Sequence, residues 1–290
     1  MSASLTDPQF IQQLDALYLL ARRILGGSLQ ADRRTQRKGS GIDFADYAEY
    51  QQGDDYRAID WRVYARLEQL LVKLFEVEED TTIYLLLDSS PSMHSKLPEA
   101  QQLAAALGYI GLHSLDRVVP YGLSDQLTPI MAPARGRAQS LPFLRALEAT
   151  ATHGGDTRFT ACCKALQARH RQKGMVLVIS DFLYRDGFED GLRLLSGAGH
   201  SIHCIQIHDT ADLDCTWLGD ANLTCSETGQ TQKVTITEAK AAAYKQAMQD
   251  WNDSLDDYCR RKGIGLAQIT NEDPFDQVVQ GLLRKGGLVG

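Results

Sequence analysis

Ile83-Tyr84-Leu85-Leu86-Leu87 is an unbroken apolar run that leads directly into Asp88-Ser89-Ser90-Pro91-Ser92-Met93. Such a run predicts a strand buried on both faces, the kind found inside a parallel sheet covered by helices. The strand delivers one carboxylate and two hydroxyls, at alternate positions, to its C-terminal mouth. Ligand sites of open α/β sheets form at such mouths. Hard oxygens gathered there suit a hard divalent cation.

The rest of the chain fits the same architecture. Apolar residues at helical spacing (Phe10, Ile11, Leu14, Leu17, Tyr18, Ala21, Leu25) predict a helix over 8–25, closed by Gly26-Gly27. A polar linker is expected to about Gly41, then a block from Gly39 to Arg66 too dense in aromatic and charged residues to be a linker. Alternation predicts a strand over 70–77. From Thr82 onward, strands at 83–87, 117–123, 127–131, 175–179, 201–207 and 266–270 alternate with helices at 98–115, 137–150, 159–169, 188–196, 238–261 and 275–284. The polar, turn-rich stretch 212–237 interrupts this rhythm as a hairpin excursion. The expected fold is α/β: a mostly parallel sheet with helices on both faces. Residues 1–80 would form an N-terminal segment packing on the core, and 81–290 the sheet domain.

At 43% hydrophobic and 23% charged, the 290 residues have the profile of a soluble globular protein. The apolar runs fall far short of the roughly 18 residues of a membrane span. Asp7, Gln12, Gln13 and Asp15 break up the N-terminus, so no secretory signal is read there and the cytoplasm is the expected compartment. A net charge of −7 gives no ground for nucleic-acid binding. The local basic stretch Arg22–Lys38 lacks interleaved aromatics for base stacking and reads as a solvated helix end and linker. None of the six cysteines forms a CxxC pair, which argues against a zinc ribbon. Cys162 and Cys163 read as helical, with at least one packed; Cys215 and Cys225 could face each other across the hairpin, as free thiols in a reducing compartment. His200 and His203 read as structural.

Three loops carry oxygens at predicted strand ends or helix starts: Asp88, Ser90 and Ser92; then Gly154-Gly155-Asp156-Thr157; then Asp181, after Val176-Leu177-Val178-Ile179-Ser180. Few carboxylates among several neutral hydroxyls leave a divalent ion under-neutralised, so an external carboxylate would be attracted to it. This constellation resembles the von Willebrand factor A domain and its metal-ion-dependent adhesion site, on the DxSxS of Asp88, Ser90 and Ser92, the Thr157 after a glycine turn and the Asp181 at a later strand end. Thr160 is the alternative for the threonine, and Asp156 reads as a loop residue. The resemblance implies Mg²⁺, or Mn²⁺ or Ca²⁺, on Asp88, Ser90, Ser92, Thr157 and Asp181, partly through water.

A second resemblance rests on Gly39-x-Gly41-x-Asp43-Phe44, Tyr50-x-x-Gly53-Asp54-Asp55-x-Arg57-x-Ile59-Asp60-Trp61, Ala65-Arg66, Lys73-x-Phe75-x-x-Glu78 and Glu227-Thr228-Gly229 with Tyr244. These are similar to the signature of the bacterial domain of unknown function 58 family. That resemblance implies a metal-binding adaptor or co-chaperone partner of a MoxR-type AAA+ ATPase. Within the block, Asp54, Asp55, Arg57, Asp60 and Arg66 are read as a buried ion-pair network, with Arg57 and Trp61 as the anchors of an alternative partner surface.

Catalysis is weighed against this. An aspartyl phosphotransferase needs a second carboxylate two residues after the first; that position is Ser90. The G-x-S-x-G elbow, the Walker A motif and the dinucleotide fingerprint are absent from the sequence. The expected function is therefore a non-catalytic, metal-dependent protein-binding module, and a metal-assisted hydrolase or phosphotransferase on the same strand end is the alternative.

Overall fold

The computed structural model describes residues 4–25, 34–38, 43–51, 55–78, 81–153, 155, 157–213 and 218–284. Gly26-Gly27, Gly39 to Ile42, Gly53, Asp54, Gly154, Asp156 and Cys215 lie outside the described residues. The chain forms two compact units, one from Met1–Ala21 and Thr81–Leu288, the other from Arg22–Asp80 and Val289–Gly290. Helix α1 (Pro8–Leu25) thus lies through Ala21 in the larger unit, whereas the sequence grouped it with everything up to residue 80. Its buried stripe of Phe10, Leu14, Leu17 and Ala21 accounts for this, and Tyr109 donates a 2.7 Å hydrogen bond to Asp15.

The smaller unit contains β1 (Arg34–Lys38), β2 (Asp43–Glu49), α2 (Trp61–Leu67) and β3 (Leu71–Glu78). Its sheet is three-stranded and antiparallel, in the order β1-β3-β2. Strand β1 corrects the expected linker: Arg-Thr-Gln-Arg-Lys carries no apolar period, and its strand state comes from the backbone ladder with β3. Of the buried ion-pair network expected between 54 and 66, Asp54 lies outside the described residues, and the exposure of Asp55 does not fit the expected burial. Asp55 caps the short 3-10 turn at 56–58, and Asp60 caps α2 by accepting from the Arg62 and Val63 N–H groups. Arg57 and Arg66 are exposed. Short acidic side chains preceding a helical turn satisfy its otherwise unpaired N–H groups, and that local role is filled here.

In the larger unit the order is β4 (Thr82–Asp88), α3 (Leu97–His113), β5 (Arg117–Leu123), β6 (Leu127–Pro129), β7 (Ala134–Arg135), α4 (Ser140–Glu148), α5 (Phe159–Arg169), β8 (Met175–Ser180), α6 (Glu189–Gly197), β9 (Ser201–His208), α7 (Thr210–Leu213), β10 (Gly219–Thr224), β11 (Thr231–Ile236), α8 (Glu238–Lys262), β12 (Gly265–Thr270) and α9 (Phe275–Arg284). The main sheet runs β12-β9-β8-β4-β5-β6, with β7 also on β5. Every pairing from β12 through β5 is parallel, and only β6 and β7 are antiparallel. This is the α/β fold the sequence predicts. All seven residues of β4 are buried. The chain leaves β4 for β5 on one side and later returns to β8 on the other, so the β4/β8 boundary is the switch point of strand order, where a crevice opens at the carboxyl ends.

Helices α3 and α4 meet closely over this sheet. A Cβ added at Gly108 of α3 would overlap the fully buried ring of Phe143 in α4. Alanine is the better helix former by about 1 kcal/mol, but overpacking a rigid core costs about 1–3 kcal/mol. Gly108→Ala is therefore expected to lower stability in urea unfolding, and Phe143→Leu in the Gly108→Ala background to recover part of the loss, as a coupled pair should.

Candidate metal centre

Strand β4 ends at Asp88, and its C-terminal neighbours Ser89 and Ser90 are buried with it. Asp88 Oδ1 accepts from the Ser90 N–H at 3.0 Å, and Oδ2 accepts from Ser180 Oγ at 2.6 Å. Ser90 Oγ and Ser92 Oγ lie 3.0 Å apart. The sharp turn that brings both hydroxyls to one side is a 3-10 turn over Pro91–Met93, with Pro91 at its first position. Ser89 faces inward instead, its N–H and Oγ both donating to the Leu123 carbonyl at the end of β5.

The second loop is pinned across the same strand ends. The His153 N–H donates to Ser89 O, and the Arg158 N–H donates to Ser124 O. Thr157 sits between these two tethers, just ahead of α5. Its Oγ1 is buried and has no hydrogen-bond partner.

The third contribution, Asp181, follows β8. Its Oδ1 accepts from the Leu183 N–H at 3.1 Å, and its Oδ2 accepts from Lys96 Nζ at 2.8 Å. The adjoining Phe182 has a φ of +58°, a left-handed conformation that is strained for an aromatic residue. Packing holds it there. Phe182 is fully buried, its ring lies 5.8 Å from Tyr184, and Tyr184 stacks on Phe159 at 4.7 Å. The strain re-aims the chain at the strand end, so that Ser180 Oγ receives the Phe182 N–H and the Tyr184 hydroxyl while donating to Asp88.

Sequence reasoning missed the groups that set the electrostatics. Lys96 is 1% exposed and bridges Asp181 to Asp212 Oδ2, the latter at 3.0 Å. Burial works against its charge, but Asp181 and Asp212 overcome this and raise its pKa. Among the described residues, Asp88 receives no such cation. Burial, and then the charge of Asp181, push it up to about 6 against the hydrogen bonds from Ser180 and Ser90. Nothing in sequence separates Lys96 from a surface lysine; Ser180 was visible as the neighbour of Asp181. Glu227, which the sequence marked only as part of a family signature, also reaches this strand end: its Oε1 accepts from the Ser92 N–H at 3.0 Å.

The structure thus places Asp88, Ser90, Ser92, Thr157 and Asp181 around one set of strand ends. Among the described residues no three His, Cys, Asp or Glu side chains gather to hold a metal, so a cation here depends on hydroxyl oxygens. A hard cation with oxygen ligands accepts such a set, and the orphaned Thr157 Oγ1 together with the cation-free Asp88 fit it. Arg57 and Trp61 belong to the smaller unit and are exposed; Trp61 lies edge-on to Tyr64, their centroids 6.1 Å apart.

The family described as protein of unknown function DUF58 matches residues 46–253, and the chain belongs to that family. An uncharacterized protein of Mycobacterium tuberculosis is 27% identical over all of this chain and 95% of its own length. An uncharacterized Mycobacterium avium protein is 33% identical over 40% of this chain and 73% of its own. Among solved structures, an aerotolerance-related membrane protein from Bacteroides fragilis aligns at a TM-score of 0.45 and 16% identity, covering 71% of this chain and 98% of that one. The conserved hypothetical protein BatB from Bacteroides thetaiotaomicron aligns at 0.43 and 12%, covering 71% and 96%. No described helix is long and apolar enough to cross a membrane.

The raised Asp88 pKa has a signed consequence. Folding disfavours the ionised carboxyl, so the penalty is absent below the unfolded value of 3.8 and fully present above about 6. In EDTA, the stability of the wild type relative to Asp88→Asn is therefore expected to improve as pH falls from 7 toward 4, by an amount on the order of 1–2 kcal/mol. Taking the difference between the two proteins cancels the histidines that titrate in the same window. A pH-independent difference in thermal unfolding would contradict this reading of the strand end.

Proposed function

From this family membership and the arrangement of the strand ends, we infer that the chain is a non-catalytic, metal-dependent protein-binding module. The observation that carries the inference is a buried carboxylate, Asp88, that faces a second carboxylate and neutral donors, beside an unpartnered buried hydroxyl, Thr157 Oγ1. A buried charge without a counter-ion is costly, and a divalent cation removes that cost. Asp88, Ser90, Ser92 and Thr157 would hold Mg²⁺, or Mn²⁺ or Ca²⁺. Asp181, whose two oxygens are already engaged by Leu183 and Lys96, would act through water.

The charge balance supports a binding role. Lys96 commits its charge to Asp181 and Asp212, leaving Asp88 as the carboxylate that faces the cation. A dication with one facing carboxylate and several hydroxyls retains positive charge and an appetite for an external Asp or Glu. The partner in this reading is a MoxR-type AAA+ ATPase in the cytoplasm, captured through such a carboxylate. That identity comes from the resemblance of the signature segments, not from the geometry. One observation favours the rival hydrolase or phosphotransferase: a carboxyl near 6 is poised for proton transfer. Against it, Ser90 stands where the second carboxylate should be, and His94, the nearest histidine in sequence, is exposed.

Asp88→Ala is expected to keep the fold by circular dichroism and to abolish capture of the ATPase in a pull-down with Mg²⁺. EDTA should do the same to the wild type. Undiminished capture in either arm would sink the metal-dependent reading, whereas phosphoester turnover lost in Asp88→Ala would replace it with the hydrolase.

A further inference from the structure

The hairpin excursion is attached to the candidate centre at its tip. Strands β10 and β11 pair from Gly219↔Ile236 to Thr224↔Thr231. The turn between them is closed by Cys225 and Gln230, the Cys225 N–H donating to the Gln230 carbonyl at 2.9 Å, and Gly229 takes a φ of +69° that suits it to a tight turn. This turn carries Glu227 to Ser92, a residue 135 positions earlier. Glu227 Oε1 takes the Ser92 N–H, while Oε2 is buried with no hydrogen-bond partner. A buried carboxylate oxygen without a partner is unfavourable, and a long side chain loses rotamer freedom when ordered. One backbone hydrogen bond is a poor return for both.

We propose that Glu227 is the centre's own carboxylate ligand, standing in cis where a partner's Asp or Glu would bind, so that the hairpin must withdraw before a partner is captured. The proposal rests on the metal-dependent reading above. Two unpartnered buried oxygens, Thr157 Oγ1 and Glu227 Oε2, belong to loops that converge on the Asp88–Ser92 turn. The hairpin is built to leave. Of the two strands only Ile236 is buried, and Leu223 is exposed, so little apolar surface opposes its release. Its base stays fixed by Lys96 on Asp212 and by the Tyr244 hydroxyl on the Asp212 carbonyl. The tip can therefore swing while the root holds, and elements with few buried contacts are the ones that open locally.

Mn²⁺ binding followed by water-proton relaxation reads the open coordination positions directly. Wild type, Glu227→Ala and Glu227→Gln are compared, with acetate as the competing carboxylate and Asp88→Ala as the metal control. The expected result is about tenfold weaker Mn²⁺ binding in both Glu227 variants, together with a higher relaxation per bound ion, because water fills the vacated position. Acetate should then lower that relaxation in the variants and leave the wild type unchanged. Equal relaxation in all three proteins with Mn²⁺ bound would overturn the cis ligand and leave the metal centre standing. Mn²⁺ that fails to bind the wild type, or that binds Asp88→Ala equally well, would remove the centre and the cis ligand together.

Discussion

Two carboxylates, Asp88 and Asp181, close neighbouring parallel strands out of reach of water, and the surrounding structure is arranged around that fact. Like charges at such a place repel, and each must be answered. Asp181 is answered by a buried ammonium. Among the described residues, Asp88 is answered by dipoles: the backbone N–H and side chain of Ser90, and the Ser180 hydroxyl, whose own oxygen is loaded by Phe182 and Tyr184. That asymmetry separates a structural ion pair from an unsatisfied charge within one cluster. It also explains why Phe182 tolerates a left-handed backbone: the aromatic stack of Phe159, Phe182 and Tyr184 fixes the turn that positions Ser180 and Asp181.

Much of the architecture was legible in the sequence because it follows from periodicity. The unbroken run at 83–87 became the fully buried β4, and helices α1, α5 and α9 begin and end where their apolar stripes do. The segment Arg34–Lys38 was not legible, since a strand held by its ladder leaves no mark in a polar sequence. The capping roles of Asp55 and Asp60 were hidden for a related reason: composition shows charges in a cluster, but that a carboxylate caps a helical turn depends on backbone conformation.

The oxygens of the candidate site were legible, and the charges that tune it were not. DxSxS and a later Ser-Asp at a strand end are local patterns. Lys96, Asp212 and Glu227 act through tertiary contacts from positions that look like ordinary surface in sequence. The family signature in Glu227-Thr228-Gly229 marked the place without giving its reason. The contact with Ser92 supplies one, since it joins the hairpin excursion to the strand end that the strand-helix alternation builds.

The contacts that define this strand end span long stretches of chain. Ser180 meets Asp88 across 92 residues, Lys96 meets Asp212 across 116, and Glu227 meets Ser92 across 135. Contacts of such separation form only once the entropic cost of closing large loops has been met. A nascent or half-folded chain therefore carries the residues of the site but no site. In the proposed role, a partner that recognised these oxygens would recognise a finished β4–β8 junction, and binding would read out completed folding as much as sequence.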